Sequence, residues 1–209
     1  MIQLFQQKQK LLNLSTDYAF DREFTNFIHN LALRKIYQTL KWEEAHTDSS
    51  YLEDVDRNIG IDYFFNDTDG IKISVQERFR ESKYSRYNDF TIRYRRDFSR
   101  DPDRKLSEFF KMKADFFVYG ISNGSKFNHE SNSDFIKYAV IDLEKFRKNI
   151  DNQKIVIKDS NSYSSQIINR VMYAPIKQNR DYSSNFVVFD IRHLDKIDKK
   201  MILIQKGFI

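Results

Sequence analysis

The sequence predicts an α/β fold: a helix–strand–strand–strand–helix–strand core followed by a C-terminal α/β extension. Three stretches carry that prediction. Asp21 to Trp42 places Phe24, Phe27, Ile28, Leu31, Ile36 and Leu40 near helical spacing. Gly60 to Arg80, GIDYFFNDTDGIKISVQERFR, reads as two strands joined by a tight polar turn. Asp115 to Ile121, DFFVYGI, is the near-continuous apolar run of a strand covered on both faces.

Taken in order, the first helix has Asp21 or Thr16 as its cap. Thr47 to Asn58 is polar and acidic and is expected as a loop. In the hairpin, Gly60 to Phe65 is aromatic and β-branched, and Asn66 to Gly70 is dense in turn formers. Ile71, Ile73, Val75 and Phe79 then alternate with Lys72, Ser74, Gln76, Arg78 and Arg80, the period-2 pattern of a half-buried strand. Closure about Thr68 sets Asp62 opposite Ser74 and puts Asp62, Gln76 and Arg78 on one face. After a polar connection, Phe90 to Tyr94 reads as a third strand. Ser99 to Arg104 breaks the pattern, and Lys105 to Lys113 suggests a short helix. Past the strand at 115–121, Ser122 to Ser133 is an Asn- and Ser-rich exposed loop. Tyr138 to Asp142 resumes a strand and Leu143 to Ile150 a helix.

Residues 1–150 thus make the expected core, and 151–209 an extension packed on the same domain. In that extension Lys154 to Lys158, Phe186 to Ile191 and Met201 to Gln205 read as strands. The polar stretch from Asp159 to Ser184 is too long for a structureless loop, so it is expected to hide an element.

Bulk properties narrow the chemistry. A chain of 209 residues, 40% hydrophobic and 31% charged, has the composition of a globular domain, and its 19 Phe and 12 Tyr imply an aromatic core. The net charge of +5 favours a polyanionic partner. Absence of cysteine excludes disulfides, thiolate metal sites and a thiol nucleophile. The opening MIQLFQQKQKLLNLS has no long apolar run and no segment approaches a membrane span, so the expectation is a cytoplasmic chain with no membrane partner. His29, His46, His129 and His193 have no metal-ligand spacing. No phosphate-binding glycine loop and no G-x-S-x-G occurs, which leaves metal-assisted hydrolysis or plain binding.

The order of elements from Asp21 to Ile121, with GID and VQER at set places, resembles the PD-(D/E)XK nuclease superfamily, whose fold is restriction-endonuclease-like, with an αβββαβ core. In that family the second strand carries an acid and the third an acid-x-lysine. The resemblance places Asp62 at the first acid, Gln76 at the second and Arg78 at the lysine, a Q-x-R variant of the E-x-K motif. It covers about half the chain. It implies a Mg²⁺ ion (or Mn²⁺ in its place) held by Asp62 with Gln76 or Glu77, and Asp62, Gln76, Glu77 and Arg78 as catalytic residues. A bound Mg²⁺ would lower the pKa of its water and neutralise charge on the phosphate. Arg78 can steady that charge but cannot act as a base, its pKa exceeding about 12.

Two arrangements are open for Glu77. Simple alternation turns it toward the apolar side with Val75 and Phe79, where a charge needs a partner, and at the strand end that partner is expected to be a nearby arginine. A bulge would instead bring it to Asp62 as a second carboxylate. Glu23 in the first helix and Asp56 before the first strand are auxiliary acids, each with an equally ordinary reading as a helix-dipole or solvated group.

From residue 78 to 104 the chain is rich in arginine, with tyrosines among them. Arg80, Lys83, Arg86, Arg93, Arg95 and Arg96 are the candidate nucleic-acid contacts, with Arg93 and Arg95 on the strand's less apolar face. Two functions remain. One is a Mg²⁺-dependent endonuclease acting on DNA, with a homodimer among the arrangements the family implies. The other is a catalytically inactive module of the same fold that binds nucleic acid or a protein partner.

Overall fold

The computed structural model describes residues 22–96, 108–179 and 182–208. The caps Asp21 and Thr16, the break at 99–104 and the start of the helix expected at 105–113 lie outside these residues.

The first helix, α1, runs through residues 22–32, a π turn at Leu33–Tyr37 and a last turn at Gln38–Leu40, closed by Lys41 in the left-handed region. The wide π turn lets neighbouring Ile36 and Tyr37 both reach the interior beside Phe24, Ile28, Leu31 and Ala32. After the short strand β1 (Glu43–Glu44) comes helix α2 (Ser49–Ile59), where the polar, acidic composition predicts a loop. Asp48 caps its start, accepting from the Ser50 and Tyr51 N–H groups, and Gly60 ends it at φ 60°.

The hairpin forms from β2 (Tyr63–Asn66) and β3 (Lys72–Arg80). Its turn is organised by Asp67, whose carboxylate accepts from the Asp69 and Ile71 N–H groups. This closes the turn one residue later than expected. Tyr63 faces Val75 and Phe64 faces Ser74, so Asp62 falls beside Gln76 rather than Ser74. A slip of two residues in pairing keeps the parity of the face, so the predicted sharing of one side by Asp62, Gln76 and Arg78 survives.

The remaining elements are β4 (Asp89–Arg95), α3 (Glu108–Lys111), β5 (Phe116–Ser122), β6 (Phe135–Asp142), α4 (Leu143–Asp151), β7 (Ile155–Asp159), β8 (Gln166–Ile168), β9 (Val171–Gln178), β10 (Asn185–Asp190), α5 (Ile191–Ile197) and β11 (Ile202–Lys206). Strands β8 and β9 are the element hidden in the polar stretch.

The molecule is mixed α/β with two mixed sheets. The first has the order β1-β2-β3-β5-β6-β11 and the second β4-β10-β9-β7, with β8 paired to β9. In the first sheet β3 and β5 run parallel and their neighbours antiparallel. The expected third strand of the hairpin meander, β4, instead pairs antiparallel with β10 in the second sheet. Side-chain alternation in FTIRY fixes which residues are buried but not which sheet receives them. Since β4 joins the second sheet and β11 completes the first, residue 150 does not divide the two sheets.

Helix α1 covers one face of the first sheet, packing on Phe65, Ile73, Val75, Val118, Phe135 and Val140. The opposite face packs Phe117, Tyr119, Ile121, Ala139 and Ile141 against Phe90, Met172, Val187 and Phe189 of the second sheet, with Phe146 of α4 and Leu194 of α5. Strand β5 is therefore buried on both sides, as its apolar run predicts. Among the described residues no helix is long and apolar enough to cross a membrane.

Candidate active site

The site lies where β2 begins and β3 nears its end. The Asp62 N–H donates to the Val75 carbonyl at 2.9 Å, locking Asp62 onto β3. Its carboxylate accepts from the Gln76 side-chain amide at 3.1 Å and from the Glu77 backbone N–H at 2.6 Å. Helix α2 supplies the second acid: the Asp56 carboxyl is in hydrogen-bond contact with that of Asp62.

Burial pushes Asp62 well above the usual carboxylate range, and the charges of Asp56 and Glu77 add to it, against the opposing Glu77 N–H. Asp56 is raised as well, first by burial, with its hydrogen bond to Asp62 and the Arg57 charge working the other way. Asp62 is half-buried and Asp56 exposed on α2, and two carboxyls this close favour a proton or a cation between them.

Glu77 follows simple alternation. Its carboxylate, 3% exposed, accepts from the Tyr37 hydroxyl at 2.5 Å and meets His29 Nδ1 at 3.0 Å, both on α1. Of the two open arrangements the bulge is not seen, and only the backbone of Glu77 touches Asp62. The second carboxylate beside Asp62 is Asp56, not Glu77. His29 stacks on the Tyr63 ring at 3.6 Å, and its Nε2 lies 3.5 Å from Glu44 of β1. Burial alone would lower the His29 pKa, but the hydrogen bond and charge of Glu77, with Glu44, hold it above its ordinary value. His29 and Tyr37 were not singled out from sequence. Their only signal was a polar side chain on the buried stripe of α1.

A cleft of about 810 Å³ opens onto this pair, lined by Arg22, Thr25 and Asn26 of α1, Glu53, Asp56 and Arg57 of α2, and Asp62, Tyr63, Gln76, Glu77 and Arg78 of the hairpin. Glu23 is exposed on α1 and does not line it. An adjoining cleft of about 630 Å³ shares Phe24, Thr25, Arg78 and Phe79 and continues past Arg80, Lys83 and Lys126. Of the predicted nucleic-acid contacts, Arg80 and Lys83 line this second cleft. Arg86, Arg93, Arg95 and Arg96 line neither. Arg86 is turned onto Tyr87, donating to its hydroxyl at 2.6 Å, and Arg93 and Arg95 are carried into the second sheet by β4.

The residues present fit a hard divalent cation. Asp62 and Asp56 are oxygen donors in contact, and the buried Oε1 of Gln76, on the amide whose Nε2 donates to Asp62, has no hydrogen-bond partner among the described residues. No group of three or more His, Cys, Asp or Glu suited to a metal occurs among the described residues. Mg²⁺ does not require one, being held commonly by one or two carboxylates together with water and substrate phosphate. No protein family, curated protein or solved structure matches this chain.

Proposed function

We propose that the protein is a Mg²⁺-dependent endonuclease acting on DNA, with a restriction-endonuclease-like core. The observation that carries this reading is the Asp62–Asp56–Gln76 cluster at the floor of a cleft walled by arginines. The strand count supports it. With β1 counted, Asp62 precedes the second strand of the first sheet and Gln76 to Arg78 lie on the third, with helix α2 between β1 and β2; the resemblance expects its motif on second and third strands. Strand β5 then lies parallel to β3 after a crossover.

In this reading Asp62, Asp56 and Gln76 would hold the ion. Bound Mg²⁺ supplies a water of lowered pKa and charge to offset that growing on the phosphate. Glu77 fixes Asp62 through its backbone N–H, and His29 and Tyr37 hold Glu77 in turn. Arg78, shared by both clefts, holds the phosphate and moves no proton. Arg22 and Arg57 flank the acids and draw the DNA backbone to the cleft.

The test is incubation of wild type and Asp62→Ala with supercoiled plasmid and single-stranded DNA, over a titration of Mg²⁺ or Mn²⁺. Wild type is expected to nick only with metal, and Asp62→Ala to lose about 10²-fold or more of that rate. The neutral Gln76 and the non-basic Arg78 favour one other reading, an inactive module of the same fold. Salt-sensitive DNA retention with no cutting by either protein would select it.

A further inference from the structure

Tyr63 follows Asp62 at the start of β2 and sits opposite Val75 of β3. Successive side chains leave a strand on opposite sides, so Tyr63 projects toward α1 while Asp62 projects away from it. Both still line the cleft of about 810 Å³, which therefore wraps around the start of the strand. Tyr63 is half-buried there, and its hydroxyl has no hydrogen-bond partner among the described residues. Unlike Tyr119, whose unpartnered hydroxyl is shut inside the core, the Tyr63 oxygen keeps access to solvent.

The ring that carries this hydroxyl is clamped. His29 lies flat on one face, with centroids 3.6 Å apart and planes 10° from parallel. His29 is held in turn, its Nδ1 meeting both Glu77 oxygens at 3.0 Å and its Nε2 lying 3.5 Å from Glu44. Burial, and after it the charges of Glu77, Asp62, Glu44 and Asp56, push the phenol above its ordinary range. It is a neutral donor set among acids. A cleft of this sign repels a phosphate and needs donors to receive one. An arginine at this place would pair with the carboxylates and compete with a cation for them. A phenol O–H donates to an anionic oxygen without that competition, and its fixed ring spares the cost of orienting it.

We propose that Tyr63 is a further catalytic residue, its hydroxyl donating a hydrogen bond to a non-bridging oxygen of the scissile phosphate. The assignment rests on the nuclease reading above. The hydrogen bond strengthens as charge grows on that oxygen in the transition state, and no proton is transferred.

The test compares the full chain with Tyr63→Phe, which deletes the hydroxyl and keeps the ring on His29. Nicking of supercoiled plasmid with Mg²⁺ gives kcat and KM. Calorimetric titration with inorganic phosphate in Mg²⁺ reads the contact itself, and thermal scans follow the metal. Tyr63→Phe is expected to lose about 10²-fold in kcat with KM within about two-fold. A phosphate dianion, like the transition state, carries more charge than the diester, so its affinity should fall about ten-fold. The melting temperature and its rise with Mg²⁺ should match wild type. Cutting by Tyr63→Phe at the wild-type rate overturns the proposal and leaves the nuclease reading. So does a rate loss accompanied by a lost metal response, since the hydroxyl would then act on the ion. If wild type cuts nothing, the nuclease reading falls and the phosphate titration decides alone. Weaker phosphate binding by Tyr63→Phe then keeps the phenol as a phosphate contact, and equal or absent binding overturns it.

Discussion

If the proposed function holds, Asp62 is the residue where stability and function pull in opposite directions. Burial and neighbouring negative charge raise its folded-state pKa, and burial that of Asp56, above the unfolded value of about 3.9. For groups shifted this way, stability is full below the unfolded pKa and is lost as pH rises through the folded pKa. Asp62→Asn removes the charge while its amide oxygen can still accept from the Glu77 N–H. We therefore expect Asp62→Asn to raise the melting temperature at pH 8 by several degrees and to change it little at pH 4. Mg²⁺ at pH 8 should raise the wild-type melting temperature and leave the variant's unchanged. Thermal scans at the two pH values, with and without the ion, check both statements. Much of this site was legible in the sequence, because strand parity alone puts Asp62 and Gln76 on one face. The partners of Glu77 were not. His29 and Tyr37 come from a helix some 40 or more residues away, and Tyr37 lies in a π turn that no hydrophobic spacing announces.

At the scale of elements, helix α2 is the part that sequence reading missed. Residues 47–58 look like an acidic loop by composition, yet Leu52, Val55 and Ile59 recur at helical spacing between an Asp48 cap and a Gly60 terminator. A helix this polar takes its place through its ends and one narrow apolar edge. Its end also shapes the site: a Cβ on Gly60 would sit 2.8 Å from Gln76 Oε1 and 3.2 Å from Met112 Cα, with φ at 60°. Gly60→Ala is expected to destabilise the fold by about 1–2 kcal/mol through the left-handed backbone alone. It should also displace the Gln76 amide and weaken the Mg²⁺-induced rise in melting temperature. Urea unfolding measures the first effect and the metal titration the second. An unchanged metal response in a destabilised Gly60→Ala would take Gln76 out of the ion's ligands.

At the scale of the molecule, the sequence marks eight of the eleven described strands but not the sheet each one joins. Apolar alternation reports burial, and both sheets share one buried layer, so FTIRY reads the same whether it extends the hairpin or pairs with β10. The sharing has a thermodynamic consequence. Phe90 of β4 packs on Phe117 of the first sheet at 5.2 Å and on Phe189 of the second at 5.3 Å, and Phe146 of α4 meets Phe189 at 5.1 Å. Strand β11, last in the chain, pairs with β6 in the first sheet. Neither sheet can come apart without exposing the other's inner face. Unfolding should therefore be one cooperative transition, despite a length at which separable units are common. The single tryptophan provides the check, since Trp42 packs against Phe116 at 4.8 Å and Tyr37 at 6.1 Å and so reports on the α1 side of the first sheet. Its fluorescence and the far-ultraviolet circular dichroism of the whole chain should give coincident urea midpoints. A fluorescence transition displaced from the dichroism would mean that the layer under α1 melts apart from the shared core, and the two sheets would then have to be counted as separate folding units.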